Sequence, residues 1–256
     1  MLILLLGGTG STARIALGLA RMGHRVLVSR ATAVELDVGV HAAIESRSGP
    51  LDERSLSELI QQRGIGVIVD ATHPYATVIR ATAARVAGRL GIPYLSFLRP
   101  GVVGAHEADV ELAPDHAAAA AAAFAHGRPV LLTTGANHLA PYARESQRTG
   151  VPLVVRVLRR AESLAACRTA GIPSGRTIAA RGPFSVAENR RQIRQFHIGV
   201  VVTKDSGAAG GTPEKLQAAR EEGCRLIVVQ RPAVSEEAVF SDVADLLRAV
   251  EGIHRG

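Results

Sequence analysis

The chain of 256 residues contains no tryptophan, and aromatic residues make up only 3% of it. Proteins that hold single-stranded nucleic acid stack the bases on aromatic platforms. The net charge of +7 therefore stands without the side chains that nucleic-acid binding uses, and no recognised binding module accompanies it. Cysteine is nearly absent. Cys167 and Cys224 show neither metal-ligand spacing nor a disulfide framework, which fits a reducing cytosol. Long hydrophobic runs are also missing: Met1–Leu6 is apolar, but no basic segment precedes it and Gly7 ends it. A membrane helix needs about 20 apolar residues, and a signal peptide needs a basic flank. The expectation is a cytoplasmic protein without a membrane span. Lysine is the last scarcity. Only Lys204 and Lys215 occur among the 30 basic residues, so arginine supplies the other 28. Such a bias can follow from genome base composition, or it can serve a polyanionic ligand, since guanidinium pairs bidentately with carboxylate and phosphate.

What the chain does have is an apolar fraction of 47% arranged as short β-rich runs alternating with amphipathic or alanine-rich stretches. That alternation predicts an α/β fold, a parallel sheet wrapped by helices. Strands are expected at Leu2–Leu6, Arg25–Ser29, Ala42–Glu45, Ile65–Val69 and Tyr94–Phe97, then at Val130–Leu132, Leu153–Val157, Ile198–Val202 and Leu226–Val229. Helices are expected over Ser11–Met22, from an Asp52 cap to Gln62, and over Ala76–Leu90 and Asp115–Ala125. Further helices are predicted over Asn137–Ser146, Ala161–Ala170, from a Ser185–Glu188 capping box, over Thr212–Glu222 and over Phe240–Val250. Thr212-Pro213 reads as an N-cap followed by proline at the first helical position. Arg99-Pro100-Gly101 interrupts both periodicities and marks a domain boundary, giving domains 1–100 and 101–256.

The chemistry lies in loops at the carboxyl ends of strands, where open α/β sheets bind ligands. Gly7–Thr12 reads G-G-T-G-S-T between a strand and a helix, so that Gly8, Thr9, Gly10, Ser11 and Thr12 can cradle a phosphate. Ala13 stands at the third glycine position of the dinucleotide fingerprint, a permitted small residue. The second strand ends in Ser29-Arg30 with no carboxylate, which suits a 2′-phosphate and favours NADPH over NADH. Each tyrosine lacks a lysine four residues on, which excludes the short-chain dehydrogenase chemistry common on this fold.

Asp70–Ala76 reads D-A-T-H-P-Y-A, with Pro74 stopping the strand and holding Thr72, His73 and Tyr75 at its lip. The second half adds Thr133-Thr134-Gly135, Arg181-Gly182-Pro183-Phe184, Lys204-Asp205-Ser206-Gly207 with Gly211 and Lys215, and Arg231. The remaining histidines (His24, His41, His106, His116, His126, His138, His197, His254) show no ligand spacing, so no metal site is expected.

Together the segments GGTGSTAR (7–14), DATHPYA (70–76), LLTTG (131–135), ARGPFS (180–185), TKDSG (203–207), GG..EK (210–215) and QRP (230–232) resemble the precorrin-6A reductases of cobalamin biosynthesis, in order and nearly end to end. The resemblance implies two Rossmann-like domains with a ligand cleft between them. It also implies a nicotinamide cofactor that gives hydride to a double bond of precorrin-6A or cobalt-precorrin-6A. The stretch from Arg30 to Leu51 looks like the cobalt-precorrin branch, with which NADH is compatible.

For such a substrate Arg99, Arg181, Lys204, Lys215 and Arg231 are the expected carboxylate partners, alongside Tyr75, Thr134, Gly135, Gly182, Pro183, Phe184, Ser206, Gly207 and Gly211. His73, Tyr75 or Asp205 is the candidate proton donor, with solvent as the alternative. The expected partner is a small corrinoid, with the protein a monomer or small homo-oligomer. The rival readings are a reductase of another polyanion and a dinucleotide- or tetrapyrrole-binding sensor without chemistry.

Overall fold

Apolar runs that read as buried on both faces should pair in parallel, and every strand pairing among the described residues does so. The computed structural model describes residues 1–31, 38–103, 109–232 and 238–255. They form two compact units, Met1–Pro100 with Pro232–Gly256, and Gly101–Arg231.

The sheet of the first unit runs β12 (Val239–Phe240), β5 (Tyr94–Phe97), β4 (Ile65–Asp70), β1 (Leu2–Leu6), β2 (Arg25–Arg30), β3 (Ile44–Ser48). The sheet of the second runs β6 (Val110–Ala113), β11 (Arg225–Val229), β10 (Val200–Lys204), β7 (Val130–Leu132), β8 (Leu153–Val157), β9 (Thr177–Ala179). With the outer strands β12 and β6 left uncounted, the five remaining strands of each sheet read 3-2-1-4-5 in chain order, the Rossmann order. The outer strands are exchanged along the chain: β6 follows β5 yet pairs with β11, and β12 follows β11 yet pairs with β5.

Strand periodicity explains the first core. Ile3 and Leu5 of β1 face Ile15, Ala16 and Leu19 of α1 (Thr12–Arg21) and Val243, Leu246 and Val250 of α9 (Val243–Arg255). Leu2, Leu4 and Leu6 face the other way, onto Leu56 and Ile60 of α2 (Glu53–Arg63) and Ala83, Val86 and Ala87 of α3 (Thr77–Leu90). In the second unit Leu131, Val154, Val201 and Val228 pack with Ile193 of α7 (Val186–Gln195) and Leu216, Ala218 and Ala219 of α8 (Thr212–Glu221). The alanine run forms α4 (His116–Ala125), which buries Ala119, Ala120, Ala123 and Phe124. The remaining helices are α5 (Ala140–Thr149) and α6 (Ala161–Thr169).

Several expectations are corrected. The last 25 residues, 232–256, return to the first unit and do not extend the second. The cause is local: β12 completes the edge beside β5, and the apolar stripe of α9 packs on α1. The short strands β6, β9 and β12 were not expected. α5 begins at Ala140, not Asn137, because Pro141 takes its first turn. Thr212 is not an N-cap: Gly211 caps α8 in a left-handed conformation with φ 68°. The Thr212 hydroxyl serves the preceding loop and accepts the Ser206 N–H at 3.2 Å.

Candidate active site

Both sheets reverse strand order at their first strand, and the loops leaving the strands on either side of that point meet there. In the first unit these are Gly7–Thr12 after β1 and Ala71–Ala76 after β4. Thr9 ties them together, its hydroxyl donating to the Ala71 carbonyl at 3.1 Å. Thr12 is fully buried and its hydroxyl accepts the Gly8 and Thr9 N–H groups, so its role is to shape the loop from beneath. Gly8 has φ 140°, and a Cβ on Gly8 or Gly10 would meet nothing within 4 Å, so the glycine cradle faces open space. Ser11 precedes α1 without capping it through its side chain, which leaves the helix N-terminus open to an anion. The Thr72 hydroxyl is buried and has no partner among the described residues. An open cradle, an uncapped helix and an orphaned hydroxyl fit a dinucleotide.

A buried polar network holds the Asp70–Ala76 segment in place. The Asp70 carboxylate accepts the Thr72 N–H at 2.8 Å, Arg80 Nε at 3.2 Å and the Tyr94 hydroxyl at 2.7 Å. Arg80 comes from α3, is almost fully buried, and also reaches the Pro74 carbonyl. The segment is thus held from below, leaving His73 and Tyr75 half-buried at its rim with ring centroids 5.5 Å apart. His73 Nδ1 accepts the Tyr75 N–H at 3.4 Å, which places the proton of a neutral ring on Nε2.

At the end of β2, Ser29 is buried and Arg30 half-buried. β3 runs alongside and sets Arg47 opposite Ser29, with Arg47 Nη1 donating to Ser29 Oγ at 2.6 Å. Arg47 thus reaches the carboxyl end of β2, a cation that the sequence did not single out. Arg99 is half-buried just past β5.

In the second unit the corresponding loops are Thr133–Leu139 after β7 and Asp205–Gly211 after β10. Thr134 is buried and its hydroxyl has no partner among the described residues, while Gly135 turns the chain with φ 88°. Lys204 ends β10 and burial pushes its ammonium below the ordinary lysine value. Lys215, on the first turn of α8, donates to Thr203 Oγ1 and the Gly210 carbonyl, and burial followed by Arg156 and Lys204 brings it down to about 8. A Cβ on Gly211 would come 3.5 Å from Pro183, so the Gly182–Phe184 loop lies against the start of α8. Arg181 is exposed at the head of that loop.

Two expected site residues are loop anchors. Asp205, a candidate proton donor, accepts the Val102 and Gly207 N–H groups and Arg231 Nη2 at 3.3 Å. Arg231 also donates Nε to the Asp205 carbonyl at 2.8 Å. A carboxylate used this fully as an acceptor ties the loop after β10 to Val102 and Arg231.

Sequence reasoning missed a group of buried residues beside these loops. Arg156 on β8 donates to Asn189 Oδ1 at 2.7 Å and Gln192 Oε1 at 2.8 Å, and its guanidinium lies 4.2 Å from the Phe184 ring centroid. Burial brings it down to about 10, with Glu188 opposing. An arginine inside an apolar strand gives no sequence signal of this role. His116, at the start of α4, stacks on His138 and meets Tyr142 of α5. His106 lies outside the described residues.

Comparison with known proteins agrees with this layout. The profile of the family described as Precorrin-6x reductase CbiJ/CobK matches residues 2–251. The chain belongs to the precorrin-6x reductase family. Cobalt-precorrin-6A reductase of Priestia megaterium is 30% identical over 97% of this chain and 98% of its own length. The enzyme of the same name from Methanothermobacter thermautotrophicus is 32% identical, covering all of this chain and 85% of that protein. A solved structure titled CobK precorrin-6A reductase superposes with a TM-score of 0.80 at 28% identity, covering 98% of this chain and 96% of that one. Membership makes the chain a reductase of the corrin-ring pathway that works with a nicotinamide cofactor.

Proposed function

We propose that this reductase adds hydride to a double bond of precorrin-6A or its cobalt form, with NADPH preferred to NADH. The first unit holds the dinucleotide and the second the carboxylated ring. The observation that carries this division is the set of cations, Arg156, Lys204 and Lys215, that burial holds below their ordinary values at the loop edge of the second sheet. A ring bearing several acetate and propionate groups offers carboxylates for such cations to pair with. The Gly7–Thr12 cradle and the start of α1 suit the pyrophosphate, with Arg30 and Arg47 at the 2′-phosphate.

When bound, the nicotinamide supplies the hydride. The chain supplies position: paired cations set which ring face is presented, and His73 Nε2 or the Tyr75 hydroxyl stands ready to pass on a proton. The test is nicotinamide absorbance with purified protein, precorrin-6A or cobalt-precorrin-6A, and NADPH or NADH. Oxidation that depends on the corrinoid is expected. Binding of the ring without turnover under every pairing would establish a sensor instead.

A further inference from the structure

Arg181, Gly182 and Pro183 are exposed, and Phe184 closes their loop as a half-buried ring. The loop is nonetheless tied from beneath, and the tie begins at Arg156, buried on β8. Arg156 Nη1 donates to Asn189 Oδ1 at 2.7 Å and to Gln192 Oε1 at 2.8 Å, both on α7. The guanidinium carbon of the same side chain sits 4.2 Å over the centroid of the Phe184 ring, a cation–π distance. A Cβ on Gly182 would come within 3.1 Å of that ring, so the phenyl packs on bare glycine backbone.

Asn189 completes the hold. Its amide nitrogen donates to the Phe184 carbonyl at 3.2 Å and to the Ser185 carbonyl at 2.9 Å. A carboxamide has one accepting end and one donating end. Because Arg156 occupies the oxygen, the nitrogen is turned toward the two carbonyls. Asn189 is 2% exposed, so its oxygen depends on Arg156 and not on water. With that donor gone the carboxamide is free to turn, and the grip on the two carbonyls opens.

Attraction to a carboxylate of the ring asks only for a cation. The contacts around Arg156 ask for more: a nitrogen shared between two acceptors and a flat face under a phenyl. A lysine ammonium matches the charge and lacks the plane.

We propose that Arg156 is a positioning residue: through Asn189 and the Phe184 ring it sets the Arg181–Phe184 loop so that Arg181 meets a carboxylate of the ring. This rests on the second unit being the ring-binding unit. The task is separate from any direct attraction between the Arg156 charge and the substrate. A loop fixed beforehand loses less conformational freedom when the ring docks, so the gain lies in binding.

The experiment joins steady-state kinetics to hydrogen–deuterium exchange on the full chain, with wild type, Arg156→Lys, Arg181→Gln and the double variant. Arg156→Lys keeps the charge and removes the planar group. Its KM for precorrin-6A should rise about tenfold, with kcat and the KM for NADPH nearly unchanged. Amide exchange over residues 181–187 should quicken while the strands of the same unit keep their protection. Arg181→Gln should also raise the KM for the ring, and the double variant should be no worse than Arg181→Gln alone, because the loop then has nothing left to position. An unchanged KM for the ring in Arg156→Lys would overturn the inference. So would a double variant in which the two effects multiply, since that marks an independent contribution of charge. Should Arg156→Lys fail to fold, Phe184→Leu leaves Arg156 in place and should show the same raised KM and the same non-additivity with Arg181→Gln; multiplied effects there would overturn it equally. An unchanged KM in Arg181→Gln would also overturn it, and continued turnover would leave the reductase reading standing. Wild type that turns over neither precorrin-6A nor its cobalt form would fell that reading, and the positioning role with it.

Discussion

Asp70 and Arg80 make the most consequential pair at the scale of single residues. Both are almost fully buried, and the Asp70 carboxylate also carries Tyr94 and the Thr72 N–H. Breaking a buried ion pair by removing one partner leaves the other charge stranded and typically costs about 3–5 kcal/mol. Arg80→Ala should lower stability by that order in denaturant unfolding. It should also loosen the loop that presents His73.

At the end of β2 the effect is on specificity. Charge-assisted hydrogen bonds contribute about 1.5–3 kcal/mol, so Arg47→Ala and Arg30→Ala should each raise KM for NADPH at least about tenfold while leaving KM for NADH almost unchanged. Equal effects on the two cofactors would remove the 2′-phosphate assignment.

Lys215 supplies a pH dependence. Its folded value of about 8 lies below the ordinary 10.5, so the free enzyme loses this cation as pH rises through 8. The kcat/KM for the ring should decline above pH 8, and Lys215→Gln should remove that limb. His73, Tyr75, Lys204 and Lys215 were legible because proline and glycine mark loops at strand ends. Arg47, Arg80 and Arg156 were not, since an arginine in a strand or helix reads as solvent-facing until burial is known.

Local chemistry marked most elements at their ends. Asp52 caps its helix as expected and Ser185 forms the expected capping box, with Ser55 and Glu188 returning the bond. Where a hydroxyl had two possible tasks the pattern misled: Thr212 turns back to hold the preceding loop instead of capping α8. The short strands β6, β9 and β12 escaped because runs of two to four residues carry too little periodicity to separate from loop. α9 starts three residues later than expected and extends to Arg255, yet its apolar stripe was plain. Leu246 on that stripe is fully buried against β1 and α1. Leu246→Ala should destabilise the protein by about 2–5 kcal/mol, measured as a fall in Tm. A neutral result would mean that the C-terminal helix is not integral to the first unit.

Across the whole molecule, the alternation of strands and helices was enough to predict two parallel α/β units and the loops that carry their chemistry. It could not reveal that each sheet takes its outer strand from the segment that follows the other sheet's last inner strand or opens its own unit. Pairing partners of short strands are set by tertiary context, not by local composition. The two units share one strand order and differ in what they place at its reversal. The first presents open glycine backbone and an uncapped helix, the second cations that burial holds below their ordinary values. That difference is the ground on which we propose the dinucleotide for one and the polycarboxylate for the other.

Hydride transfer between them is tested most directly with NADPH deuterated at the transferring position of the nicotinamide ring, incubated with the protein and precorrin-6A. Mass spectrometry of the corrinoid product should show one deuterium retained in the ring. Reduced product without deuterium, or no reduced product from either the metal-free or the cobalt substrate, would contradict it.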